Sequence, residues 1–115
     1  MKHIITFIGN ELRIDKKTMK FYYDIRDIKV GDNQVIVLLS IPLHSKEIDN
    51  IYAVSFDCKI NWRVERLSIV NPAGYNLPYE NLFFNNRELT ATDFYGRRYF
   101  INIMNGRIEK TDIVK

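Results

Sequence analysis

The sequence predicts an all-β, mainly antiparallel fold. The expected form is a meander of hairpins, arranged as a β-sandwich or as propeller-blade-like sheets, with little or no helix. Three observations carry this. Short apolar segments alternate with turn signals from end to end. Seven Phe, seven Tyr and one Trp give the chain a high content of residues that favour pleated, half-buried surfaces. No segment sustains a helical period.

The elements follow in order. Ile4 to Ile8 reads as a strand, Gly9-Asn10 as its turn, and Glu11 to Ile14 as the return. Phe21 to Val30 is a second extended stretch, broken by charges. Gly31-Asp32-Asn33 then turns the chain into Val35 to Ile41, its most hydrophobic run, which predicts a strand buried on both faces. Pro42 ends that run, and Leu43 to Asn50 reads as a loop with room for one helical turn. Ile51 to Phe56 and Ile60 to Glu65 form a hairpin around Asp57-Cys58-Lys59, with Cys58 where a turn more often has Gly. In its second strand Ile60, Trp62 and Val64 alternate with Asn61, Arg63 and Glu65, so the first three are expected on one core-facing side.

Arg66 to Asn81 is the one long irregular stretch, and it holds two of the three prolines. Leu82 to Phe84, an Asn85-Asn86 turn and Glu88 to Asp93 make the next hairpin. Tyr95-Gly96-Arg97 turns into Tyr99 to Ile103, and Asn105-Gly106 into Arg107 to Lys110. Asn-Gly is the strongest short-range hairpin signal, because both residues tolerate positive φ. Tyr99, Ile101 and Ile103 are expected on one face, with Phe100 and Asn102 on the other. The triplets Phe7-Ile8-Gly9, Phe56-Asp57-Cys58 and Phe94-Tyr95-Gly96 suggest a repeated unit in which a Phe plugs the core before a tight turn. At 115 residues, a single domain, a closed propeller is out of reach.

Composition narrows function. A net charge of +3 is spread along the chain, and the longest basic runs are Lys16-Lys17 and Arg97-Arg98. A dedicated nucleic-acid binder concentrates its charge, so nucleic acid is disfavoured as a partner. Lys predominates among the basic residues up to Asn50 and Arg after it, which places an interface in the second half. One cysteine excludes an intramolecular disulfide and a cysteine-rich zinc site. No apolar run suits a signal peptide or a membrane span, so a cytoplasmic protein is expected, with no membrane partner.

The chemical inventory is thin. His3 and His44 lack metal-ligand companions, and a His44–Cys58 dyad has no nucleophile signature around it. Five glycines spread singly cannot build a phosphate loop. The carboxylate pairs Asp24/Asp27 and Glu47/Asp49 lie in charged, turn-like surroundings and read as a solvated face or an acidic contact patch. Neither catalysis nor a cofactor, metal or small-molecule substrate is expected. Trp62 reads as core. Tyr75 and Tyr79 lie in the Pro/Gly loop where nothing forces burial, and long ordered loops are often functional. Arg97 and Arg98 read first as a solvated turn braced by Phe94, and then as protein-contact residues.

Two stretches, IYAVSFDCKINWRVE and LTATDFYGRRYFINIMNGRIEKTDIVK, carry a resemblance. Each has a strand–turn–strand form, and the second has an aromatic-x-Gly turn and a polar-Gly-basic-Ile turn. From Ile51 onwards the chain resembles immunity proteins of bacterial contact-dependent inhibition and related polymorphic toxin systems. The same elements also resemble quinoprotein-type propeller blades. The immunity resemblance implies stoichiometric neutralisation of a cognate toxin domain, usually a nuclease, by a protein without catalytic residues. Asp24, Asp27, Glu47 and Asp49 would supply an acidic patch for a basic toxin if the fold gathers them. The alternatives are a small nucleic-acid-binding β domain, using Arg97, Arg98, Tyr95 and Tyr99, and a structural or assembly domain that pairs through exposed edge strands.

Overall fold

The computed structural model describes residues 2–42 and 45–113. It is all-β, with three antiparallel meanders in succession along the chain. The first sheet holds β1 (Ile5–Ile8), β2 (Glu11–Ile14) and β3 (Lys17–Lys20). The second holds β4 (Ile25–Val30), β5 (Gln34–Leu39), β6 (Ile51–Ser55) and β7 (Ile60–Arg63). After a single helical turn, α1 (Leu67–Val70), the third holds β8 (Tyr79–Asn85), β9 (Glu88–Asp93), β10 (Arg97–Ile101) and β11 (Ile108–Ile113). Within each sheet the strand order is the chain order.

The second sheet is the middle layer. Every residue of β5 is buried. The period of two sends Val35, Val37 and Leu39 towards a cluster shared with Leu12 and Ile14 of the first sheet. Ile36 and Leu38 go the other way, into a cluster with Leu82, Leu89, Ala91, Tyr99 and Ile101 of the third. The run is hydrophobic without alternation because both of its faces are covered. Asn50 ties the layers together. Its side-chain amide donates to the Leu39 and Tyr79 carbonyls at 2.7 and 2.9 Å, and its Oδ1 accepts from the Tyr79 N–H at 2.9 Å.

Several expectations are corrected. β3 is a strand the sequence conceals, since Lys-Thr-Met-Lys offers one apolar residue. It is fixed by a two-residue turn in which Asp15 takes a φ of 55° and its carboxylate accepts the Ile4 N–H. Phe21 to Val30 is not one extended stretch: the chain bends at residues 21–24, where Phe21 and Tyr23 pack partly into the first cluster. Residues 45–50 contain no helical turn; the turn lies at Leu67–Val70, where the Asp49 carboxylate accepts the Leu67 N–H at 3.0 Å. Ile60 does not share a face with Trp62, because a bulge pairs Val54 with Ile60 and Ala53 with Trp62. The extra residue, Asn61, sends Ile60 to solvent and Trp62 into the core.

The turns add two findings. Cys58 has a φ of 62°, so it does occupy a glycine-like position. The Asn105-Gly106 hairpin is wider than a two-residue turn. Asn102 N–H donates to the Arg107 carbonyl, and of the two loop residues only Gly106 has positive φ, at 78°. No helix among the described residues is long and apolar enough to cross a membrane.

Candidate functional site

The most developed surface feature lies where residues 71–78 meet the β9–β10 turn. Its foundation is Asp93, whose carboxylate is fully buried. Oδ1 accepts the N–H groups of Tyr95 and Arg97 at 3.0 and 3.1 Å, which closes the turn from inside. Oδ2 accepts Arg97 Nε at 2.6 Å, a charge-assisted bond. Gly96, with a φ of 80°, supplies the backbone freedom the turn needs. The free arm of Arg97 then donates to the Tyr75 carbonyl at 2.8 Å and pins the long loop to the turn.

Three aromatics stand on this base. Tyr75 is 71% exposed, Phe94 76% and Tyr95 62%. They are not independent of one another: ring centroids lie 6.5 Å apart for Tyr75–Tyr95 and 5.8 Å for Phe94–Tyr95, with the Arg97 guanidinium 5.8 Å from the Tyr95 ring. Ile41, Leu77 and Pro78 continue the surface into an open groove of about 790 Å3, walled by the Arg26–Glu80 ion pair at 3.0 Å. Ile41 also borders a second groove of about 550 Å3, lined by Phe21, Tyr22, Tyr23 and Tyr52. Both charges closest to the rim are paired with carboxylates. The rim is therefore aromatic and locally near-neutral, on a turn whose backbone is held from inside.

The family described as Domain of unknown function (DUF7957) matches residues 2–113. The chain belongs to DUF7957. Among solved structures, this DUF7957 domain is similar to the computationally designed Ika8 protein, with a TM-score of 0.61 and 10% sequence identity. The likeness covers 94% of this chain and 35% of that one, so the domain spans about a third of the designed protein's length. At this identity the likeness speaks to the fold alone. No curated protein matches the chain.

The remaining contact candidates are scattered over the DUF7957 domain. Arg97 and Arg98 point to opposite faces of β10. Arg98 lies on the outer face in a two-pronged pair with Asp112, at 2.8 and 2.7 Å, which holds the Asp112 carboxyl below the usual carboxylate range. The doublet is thus two separate ion pairs and no continuous basic patch. Tyr79, expected on an accessible loop, is in β8 and only 2% exposed. It sits edge-on to Tyr99 at 5.2 Å, and burial pushes its phenol well up.

Of the four acids, Glu47 and Asp49 come together around Arg63. Glu47 pairs with Arg63 at 2.7 Å, and the Asp49 carbonyl accepts Arg63 Nε at 2.7 Å. Burial raises the Asp49 carboxyl, against the pull of the Leu67 N–H. Asp27 faces Lys29 at 3.4 Å, and Asp24 is exposed on the bend before β4. Phe94 does not brace the core, and Phe7 is also partly exposed, so the recurring Phe is no common plug. His44 lies outside the described residues. Burial pushes the Cys58 thiol up, the wrong direction for a nucleophile.

Sequence reasoning missed Asp93 as the anchor and Phe94 as part of the surface. The signal was the DFYG stretch itself, where an Asp accepting N–H groups two and four residues on would turn both aromatics outward.

Proposed function

We propose that this chain is a binding domain that neutralises a partner protein, a toxin domain in the form the sequence resemblance implies, by seating its aromatic rim on it. The observation that carries this is the exposed Tyr75–Phe94–Tyr95 cluster held by the Asp93–Arg97 pair. Tyr and Arg are over-represented among residues that dominate binding energy. A rim whose backbone base is already fixed has less to order on association. Because Arg97 and Arg26 are matched by Asp93 and Glu80, recognition by this rim does not require a strongly basic partner. The rim itself therefore adds little local repulsion to the +3 net charge when the partner is a basic nuclease.

The test is co-expression with the protein encoded beside this one. The expected result is a stable one-to-one complex, relief of the neighbour's toxicity, and loss of both in Phe94→Ala/Tyr95→Ala. That double variant should fold normally and bind at least about a hundredfold more weakly. A harmless neighbour that forms no complex would sink the neutralisation reading. A complex indifferent to the double variant would sink the rim.

A further inference from the structure

The three sheets leave six edge strands: β1 and β3, β4 and β7, β8 and β11. Five carry the charges that discourage pairing with another chain: Lys17 and Lys20 on β3, Arg26, Asp27 and Lys29 on β4, Arg63 on β7, Glu80 on β8, and Glu109, Lys110 and Asp112 on β11. β1, Ile-Thr-Phe-Ile, carries none. It is also where exposed aliphatics gather, for Ile4 is 74% exposed and Ile8 68%, and Phe7 is exposed as well.

The backbone of β1 is half used. Asp15 N–H donates to the Ile4 carbonyl, and a two-residue turn joins the closing pair Ile8 and Glu11. By the alternation of an antiparallel ladder, Ile4, Thr6 and Ile8 bond towards β2, while the N–H and C=O of Ile5 and Phe7 face the open side. No hydrogen bond among the described residues engages those four groups.

We propose that β1 is a self-association edge, pairing antiparallel with β1 of a second copy about a two-fold axis at Thr6. The register follows from the free groups. An axis at Thr6 sets Ile5 opposite the other copy's Phe7, and Phe7 opposite its Ile5, so all four open groups of each strand are satisfied. Moving the axis to Ile5 or Phe7 leaves some of them without a β1 partner. On the outer face the same axis sets Ile4 against Ile8 twice, covering two exposed aliphatic side chains. It also brings Lys2 of each copy beside the Asn10–Glu11 corner of the other, where Glu11 faces Arg13 at 3.5 Å. The product is a continuous six-stranded sheet with an isologous interface. It uses no residue of the aromatic rim and stands independently of the neutralisation reading.

Sedimentation over a concentration series tests this directly. The wild-type chain should dimerise. Thr6→Lys, which sets two ammonium groups face to face at the axis, should weaken association at least about tenfold with an unchanged circular dichroism spectrum. A second arm places Thr6→Cys in a Cys58→Ser background. Thr6 is a non-hydrogen-bonded pair at the axis, with Cα atoms about 4.5 Å apart, within reach of a disulfide. It should cross-link far faster than Thr18→Cys, which occupies the same outer face on β3. A monomer at every concentration, a dimer that Thr6→Lys leaves intact, or equal cross-linking of the two cysteine variants would overturn the proposal. Should Thr6→Lys fail to fold, the cross-linking comparison decides alone.

Discussion

Replacing Gly106 with alanine should destabilise the fold by about 2–5 kcal/mol, from two contributions. The φ of 78° lies in the left-handed region, which costs a residue with a Cβ about 1–2 kcal/mol. The added carbon would also fall 2.5 Å from Trp62 Cε3, 2.9 Å from Cδ2 and 3.0 Å from the Arg63 carbonyl oxygen. Neither neighbour yields easily. Trp62 is buried with its Nε1 donating to the Ile103 carbonyl at 2.9 Å, and Arg63 presents backbone. Gly106 cannot retreat, since its N–H donates to Asn102 and its carbonyl accepts from Glu65. Overpacking of this kind costs about 1–3 kcal/mol.

Gly9→Ala is the control. It has a φ of 55°, but its Cβ would meet only Asp24 Oδ1, at 3.8 Å. The unfolded-state entropy that alanine removes is common to both variants, so their difference isolates the Trp62 contact at about 1–3 kcal/mol. Urea unfolding followed by fluorescence of Trp62, the one tryptophan, measures both. Stabilities of Gly106→Ala and Gly9→Ala within about 0.5 kcal/mol of each other would refute the reasoning.

Two more expectations rest on polar contacts. Asn50→Ala should cost about 3 kcal/mol, because it strips the Leu39 carbonyl and both Tyr79 backbone groups of a buried partner. Asn50→Asp should not restore it, since a carboxylate has no N–H to donate, and a urea midpoint for each variant checks the pair. The Asp112 carboxyl is depressed in the folded chain, chiefly by its hydrogen bond from Arg98. Its contribution to stability is therefore present above the unfolded carboxylate pKa and is lost as pH falls through the lower folded value. Carboxyl NMR titration should find the Asp112 midpoint below the ordinary range in the wild type and back within it in Arg98→Ala. An unchanged midpoint would show that the pair does not persist in solution.

Much of the strand layout was legible because local signals agreed with one another. The glycine-like turn at Cys58, the double burial of β5, the inward Trp62 and the shared face of Tyr99 and Ile101 all follow from turn chemistry and a period of two. Legibility failed where a partner elsewhere in the chain made the decision. β3 has no pattern of its own and exists because β2 offers it a ladder. Tyr79 looked free because Pro and Gly surround it, yet Asn50 draws its backbone into the joint between two sheets. Ile60 lost its face to a bulge that only the pairing with β6 reveals.

The contact surface divides the same way. The sequence placed Tyr75 and Arg97 among the candidates, and both belong to the aromatic rim. It could not tell that Arg97 and Arg98 part to opposite faces, that Glu47 is answered by Arg63, or that Asp27 is answered by Lys29. By itself, the sequence determined an all-β chain of hairpins with a thin chemical inventory, because periodicity, turn residues and composition act over a few residues at a time. Only the tertiary structure decided that three meanders stack with the second in the middle, that a buried Asp93 turns Phe94 and Tyr95 outward, and that β1 is the one uncharged edge. Those outcomes depend on which backbone and side-chain groups find partners across sheets, and such pairings have no signature in a linear pattern.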